Sequence, residues 1–230
     1  MLPRALLLDF DGVIVDSENY HTAAWQRTLL AMGRDAPDSL CSRAAEIDDR
    51  AFLQEIFGGG IAKVDIEGWL RRKEEITAQM FADIPRLYEG VRELIPRLVE
   101  KGVRVGIVST TKRENIETVL ASTGLGDSIS LIVAKQDVKT FKPVPEGYRL
   151  AVERLGIKAE DAVAIEDSET GYHAAKAAGL KTIIVGHRRP SGPWLGDSLY
   201  LPHFRRLDEV IAAIERDSRE QGGHRPLYET

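Results

Sequence analysis

Two hydrophobic rhythms alternate along the chain. Short, mainly apolar runs occur at Leu6-Leu7-Leu8, Val103 to Val108, Leu131-Ile132-Val133, Ala162 to Ile165 and Thr182 to Val185. Runs of this kind read as strands buried on both faces, the pattern of a parallel sheet. Segments of helical period lie near 90–101, 112–122, 145–155 and 169–179. Several of them close on a glycine (Gly102, Gly124, Gly156, Gly179), the residue that best ends a helix in left-handed backbone. This alternation predicts an α/β fold, a doubly wound Rossmann-like parallel sheet. One block interrupts it. From Ser17, a candidate N-cap, a helix carried by Tyr20, Ala23, Ala24, Leu29 and Leu30 runs to Gly33, and further helices are expected over 38–46, 48–57 and 65–83. Gly58-Gly59-Gly60 breaks the block, which offers no convincing strand. The expected organisation is a catalytic core from 1–16 and 85–216, with an inserted all-helical cap at 17–84 lying over the strand ends. Residues 217–230 are polar and glycine-containing and read as a loose tail.

The first strand ends in Asp9-Phe10-Asp11-Gly12. Open α/β sheets bind ligands beyond the carboxyl ends of their strands, and both aspartates stand there. Period-2 geometry aims them to one side while Gly12 lets the backbone turn away. Two close carboxylates repel unless a cation or a shared proton relieves them. An ordinary acidic turn needs one aspartate, not two aimed together. Other reactive groups also end strands. Ile107-Val108 runs into Ser109-Thr110-Thr111 at a helix start, where hydroxyls and free N–H groups suit an anion. Phe141-Lys142-Pro143-Val144-Pro145 holds a lysine in a loop stiffened by two prolines. Ile165 leads into Glu166-Asp167-Ser168. An acidic N-cap accounts for Asp167 or Ser168 but not for Glu166 as well. Deepened negative charge of this kind calls for a hard divalent cation with oxygen ligands, and Mg²⁺ suits it best. Together these strand ends supply a nucleophile, an acid/base, anion donors and a metal site, the set needed for phosphoryl transfer through an aspartyl-phosphate.

Composition excludes several other classes. The 230 residues are 43% apolar and 29% charged, ordinary for a globular protein with room for one domain and an insertion. A formal charge of -5 gives no basic footprint for nucleic acid or an anionic membrane. Cys41, the single cysteine, precludes an intramolecular disulfide and fits a reducing compartment. Met1-Leu2-Pro3-Arg4 leads straight into the first strand, so no signal peptide is expected, and no apolar run approaches the roughly 20 residues of a membrane span. The expectation is a cytoplasmic protein, a monomer or weak dimer, whose partner is a small phosphorylated molecule.

The four motifs, in this order and over roughly 1–216, resemble those of haloacid dehalogenase superfamily phosphohydrolases. The similarity is greatest to the branch of β-phosphoglucomutase, phosphoglycolate phosphatase and the sugar-bisphosphate phosphatases. It rests on Asp9 to Val13, Ser109, Lys142-Pro143 and Glu166-Asp167-Ser168. The resemblance implies that Asp9 attacks phosphorus. It implies that Asp11 protonates the leaving oxygen and then deprotonates water. Mg²⁺ is expected on Asp9, the Asp11 carbonyl and Asp167, with Glu166 assisting directly or through water. Ser109, Thr110 and Lys142 are expected to grip the phosphoryl group. The superfamily's dehalogenases lack the second aspartate, so Asp11 argues against that chemistry.

The cap is where the sequence departs from the family pattern. Ser17 and His21, with Trp25 one turn on, are similar to the hinge and first cap helix of sugar-phosphate members, and Ser17, His21, Arg50 and Lys73 are candidate substrate contacts. A capping or packing role suits His21 equally, and Trp25 reads as cap core. Glu46 stands where relatives carry glycine, and Asp49 rather than Arg50 falls on the mutases' phosphate-binding arginine. An acid there repels a second phosphate; Arg43 or Arg50 serves only if the loop shifts by a turn. Within Arg71-Arg72-Lys73, two of the three are expected to form a solvated helix face. Glu89-Gly90 replaces the usual Pro-Gly of the second hinge. The leading expectation is a Mg²⁺-dependent phosphatase of a pentulose or hexose mono- or bisphosphate. A sugar-phosphate mutase is the alternative, and a C–P hydrolase would need a Schiff-base lysine at Lys63 or Lys73. A non-catalytic sugar-phosphate sensor is the reading from outside the enzymes.

Overall fold

A computed structural model describes residues 2–45, 47, 49–58, 60, 65–83, 86–186, 199–201 and 212. The chain divides into two compact units, Met1–Val15 with Leu87–Thr230, and Asp16–Arg86. The expected tail at 217–230 lies outside the described residues, as do Glu46, Asp48 and Lys63.

The first unit is built on a six-stranded, all-parallel sheet of order β3-β2-β1-β4-β5-β6. Its strands are β1 (Ala5–Leu8), β2 (Arg104–Val108), β3 (Leu131–Val133), β4 (Ala162–Glu166), β5 (Lys181–Val185) and β6 (Leu199–Leu201). The order reverses at β1, which pairs with β2 on one side through Leu8↔Ile107 and with β4 on the other through Leu8↔Ile165. That reversal is where a doubly wound sheet opens its ligand crevice. Strand β6 was not read from the sequence: three residues hold too little pattern for any period to show.

Burial explains the apolar runs. All four residues of β1 and all five of β4 are buried, including Glu166 at the end of β4. One sheet face carries Ala5, Leu7, Val108, Val133, Ala162 and Ala164 and packs with Tyr148 and Ala151 of α7 (Glu146–Leu155) and Ala174 and Ala175 of α8 (Glu169–Ala177). The facing alanines leave room for α8 to lie close to β4. Helices α5 (Val91–Glu100) and α6 (Arg113–Thr123) complete the unit. Gly124 and Gly156 end α6 and α7 in left-handed backbone at φ +73° and +60°, as their places after the helical periods imply.

Among its described residues the second unit holds helices, turns and irregular links and no strand. It comprises α1 (Glu18–Ala31), α2 (Asp38–Cys41) running into a 3-10 turn at Ser42–Ala45, α3 (Asp49–Phe57) and α4 (Ile66–Asp83). Its core gathers Trp25, Leu29, Cys41, Phe52, Leu53 and Trp69. Trp25 packs on Phe52 with ring centroids 4.9 Å apart, and Phe57 meets Trp69 edge to face at 5.3 Å. Cys41 is thus a small apolar core residue.

The insertion leaves and re-enters the sheet unit at one spot. Val15 bridges antiparallel to Leu87, and the Tyr88 N–H donates to the Ile14 carbonyl at 3.0 Å. One residue further into the insertion, the Asp16 N–H donates to the Arg86 carbonyl at 2.8 Å.

Candidate active site

Asp9, Asp11, Ser109, Thr110, Glu166 and Asp167 sit at the carboxyl end of a strand or within three residues beyond it, while Lys142 comes from the loop that leads into α7. Asp9 follows β1, its N–H donating to the Ile165 carbonyl at 3.0 Å, so β1 and β4 are still paired where the chemistry begins. Ser109 follows β2 and is likewise held by its N–H on the Val133 carbonyl at 2.9 Å. Glu166 is the last residue of β4, and Asp167 comes next. Gly12, at φ +74°, has both of the properties its place requires. The left-handed backbone favours glycine, and a Cβ there would overlap the Asp167 carboxylate.

Lys142 is the hub of this crevice. Its ammonium lies 2.9 Å from Asp9 Oδ2 and 2.6 Å from Glu166 Oε1, with all three side chains nearly or wholly buried. Glu166 Oε1 also accepts from the Tyr148 hydroxyl at 2.5 Å. The Tyr148 ring lies 5.5 Å from the Lys142 ammonium, within range of a cation–π attraction. Ser109, exposed Thr110 and Lys142 line one pocket.

Carboxyl oxygens of Asp9, Glu166 and Asp167 lie within 4.8 Å of one another. Crowding buried acids raises their proton affinity. Burial first, and then the Glu166 charge, push Asp9 well above the usual carboxylate range despite the opposing pull of Lys142. The same two causes lift Asp167 to about 7. Burial alone would lower the Lys142 pKa, but Asp9 and Glu166 outweigh it and raise it. Burial and then Glu166 also raise the Tyr148 phenol. Such a group, with more negative charge than one ammonium balances and only hard oxygen donors, fits a divalent cation such as Mg²⁺.

Asp11 is held differently. Its Oδ2 accepts from the Thr111 hydroxyl at 2.5 Å, and its carboxylate stands outside the three-acid group. Sequence reasoning took Thr111 only as one hydroxyl of a Ser-Thr-Thr run suited to an anion, not as a partner of Asp11, and it did not pick out Tyr148, which sits where an aromatic in a helix's first turns reads as core.

In the helical unit the candidates have separate surroundings. Ser17 is buried at the N-cap position of α1 without a side-chain capping bond; its carbonyl accepts the Tyr20 N–H at 2.8 Å. His21 lies in α1 with its side chain outside the described residues. Arg50 is exposed and 2.5 Å from Glu67, and Arg43 is 3.3 Å from Glu55. Arg71 and Arg72 are exposed, but Lys73 is buried, 3.0 Å from Asp49 Oδ2, while Asp49 Oδ1 accepts from Trp25 Nε1 at 2.8 Å.

Comparison with known proteins gives a consistent result. A sequence model of the family described as Haloacid dehalogenase-like hydrolase matches residues 6–185. Protein CbbY of Rhodobacter capsulatus is 30% identical, over 92% of this chain and 96% of its own. A phosphorylated carbohydrates phosphatase of Thermotoga maritima is 31% identical, over 78% of this chain and 83% of its own. Among solved structures, a mutant CbbY of Rhodobacter sphaeroides in complex with xylulose-(1,5)-bisphosphate superimposes with a TM-score of 0.70. It is 27% identical and the match covers 89% of this chain and 96% of that one.

Proposed function

The chain belongs to the haloacid dehalogenase-like hydrolase family and is a phosphoric monoester hydrolase, and from that premise we propose that it is a Mg²⁺-dependent phosphatase of a small phosphorylated sugar. The observation that carries this reading is the Lys142 ammonium shared by Asp9 and Glu166, with Asp167 completing the acid group. The phosphatase named for phosphorylated carbohydrates and the CbbY structure with a sugar bisphosphate support the substrate class.

In this reading Asp9 is the nucleophile. Its oxygen attacks phosphorus, the bond to the leaving oxygen breaks, and Asp11 gives that oxygen its proton. Asp11, now a carboxylate, then takes a proton from water as the water oxygen attacks phosphorus. The bond to Asp9 breaks, and inorganic phosphate departs. Lys142, Ser109 and Thr110 bind the phosphoryl oxygens, the lysine matching charge that grows in the transition state. Asp9, Asp167 and Glu166, with the Asp11 carbonyl, would hold Mg²⁺, which supplies Lewis-acid neutralisation of the phosphoryl charge. Selection of the sugar is assigned to the inserted helical unit, read here as a cap.

A screen of sugar mono- and bisphosphates for phosphate release in Mg²⁺ tests the reading, with Asp9→Asn as control. The expected result is release from at least one sugar phosphate and loss of several orders of magnitude in the variant. Isomer formation primed by a bisphosphate, with little phosphate released, would instead identify a mutase. Binding without turnover would identify a sensor.

A further inference from the structure

Thr111 touches both ends of the proposed chemistry. Its hydroxyl donates to Asp11 Oδ2 at 2.5 Å, a bridge between residues 100 apart in sequence. Its own N–H donates to Ser109 Oγ at 3.0 Å, and its carbonyl accepts the Lys135 N–H at 3.0 Å. Threonine just ahead of a helix ordinarily spends its hydroxyl on the helix's free N–H groups. Here Lys112 holds the N-cap position of α6 without a side-chain capping bond, and the Thr111 hydroxyl turns to the carboxylate. Backbone bonds on both sides of Thr111 fix where that hydroxyl stands. The hydrogen bond engages one of the two carboxyl oxygens of Asp11. It also breaks the equivalence of the two oxygens: with Oδ2 engaged, Oδ1 is left to carry the transferable proton.

We propose that Thr111 is a positioning residue for Asp11, presenting one chosen carboxyl oxygen to the leaving group and tying that orientation to the phosphate-gripping Ser109. The inference rests on the reading of Asp11 as the acid/base. In the first half-reaction the Asp9 oxygen bonds to phosphorus, the P–O bond to the sugar breaks, and the proton on Asp11 Oδ1 passes to the departing sugar oxygen. Only a poor leaving group needs that proton. An aryl oxide of low basicity leaves without it, so the orientation of Asp11 matters for one class of ester and not for the other.

Thr111→Val keeps the branched shape and removes the donor. The quantity to measure is kcat/KM, which reports the steps up to phosphoryl transfer, for a sugar phosphate found in the screen and for p-nitrophenyl phosphate. The expected result is a loss of roughly 10- to 100-fold on the sugar phosphate, a fraction of the full general-acid effect, with about threefold or less on the aryl ester. Thr111→Ser, which restores a hydroxyl, should return the sugar phosphate to within about threefold of the parent. Equal losses on both esters would mean a structural role and overturn the proposal, as would no loss on either. Thr111→Ala, read the same way, decides the question if the valine variant folds poorly. Should Asp9→Asn retain turnover, the aspartyl-phosphate reading itself fails. Should it be inactive while Thr111→Val is normal, only the role of Thr111 fails.

Discussion

One ammonium set between two buried carboxylates places opposite demands on three groups. Lys142 keeps its proton because Asp9 and Glu166 need it, and they tolerate burial because Lys142 is there. Lys142→Met should therefore do more than remove a phosphate ligand. In urea unfolding without metal the variant should lose about 3 kcal/mol, the scale of a broken buried ion pair. Its phosphate release should fall by roughly 10²- to 10³-fold. Tyr148→Phe makes a narrower change, removing the hydroxyl from Glu166 Oε1 without opening a cavity. A stability loss of about 1–2 kcal/mol is expected in the same unfolding measurement. Asp9, Asp11, Ser109, Glu166 and Asp167 were legible because each is a polar residue at or just past the end of an apolar run, and Lys142 because it stands in a loop stiffened by prolines. The roles of Tyr148 and Thr111 were not, because their residue types suit core and cap equally and only the partner of each hydroxyl distinguishes them.

Helix α8 begins hard against the end of β4. A Cβ on Gly171 would overlap the Glu166 carboxylate, which cannot swing aside without leaving Lys142 and Tyr148. Replacing a helical glycine by alanine is ordinarily favourable by about 1 kcal/mol. Gly171→Ala should reverse that sign, lowering the melting temperature and the rate of phosphate release together. In the helical unit, α3 and α4 meet through Asp49 and the buried Lys73. Asp49→Ala removes a carboxylate partner of a buried ammonium and should destabilise that unit by about 1–3 kcal/mol, read as an earlier urea transition. Helix positions were well marked in the sequence: α6 was expected over 112–122 and lies at Arg113–Thr123, and α7, expected over 145–155, lies at Glu146–Leu155. The 38–46 segment was less clear. It folds as a short α-helix followed by a 3-10 turn, a distinction that hydrophobic period does not carry.

At the scale of the molecule, the acid group links stability to the proton and, in the proposed reading, to Mg²⁺. Asp167 is held at about 7 against an ordinary 3.8, so the folded metal-free protein binds that proton more tightly than the unfolded chain does. The stability this contributes is complete below about 3.8 and is lost as pH rises through about 7. Asp9 is shifted in the same direction. Thermal melts in EDTA should therefore show a falling melting temperature between pH 5 and pH 8. Added Mg²⁺ should raise the melting temperature more at pH 8, where the carboxylates are already ionised, than at pH 5. An equal shift at both pH values would argue against Asp167 as a ligand.

The bridge between Val15 and Leu87 closes the sheet unit upon itself before the insertion departs. Seventy-one residues, Asp16–Arg86, thus hang from a doorway whose two jambs are already joined. Lengthening, shortening or exchanging what lies beyond it asks nothing of the strand register. On the reading proposed above, a foreign helical segment spliced between Val15 and Leu87 would leave Asp9, Lys142 and Glu166 in place and change only which sugar is taken.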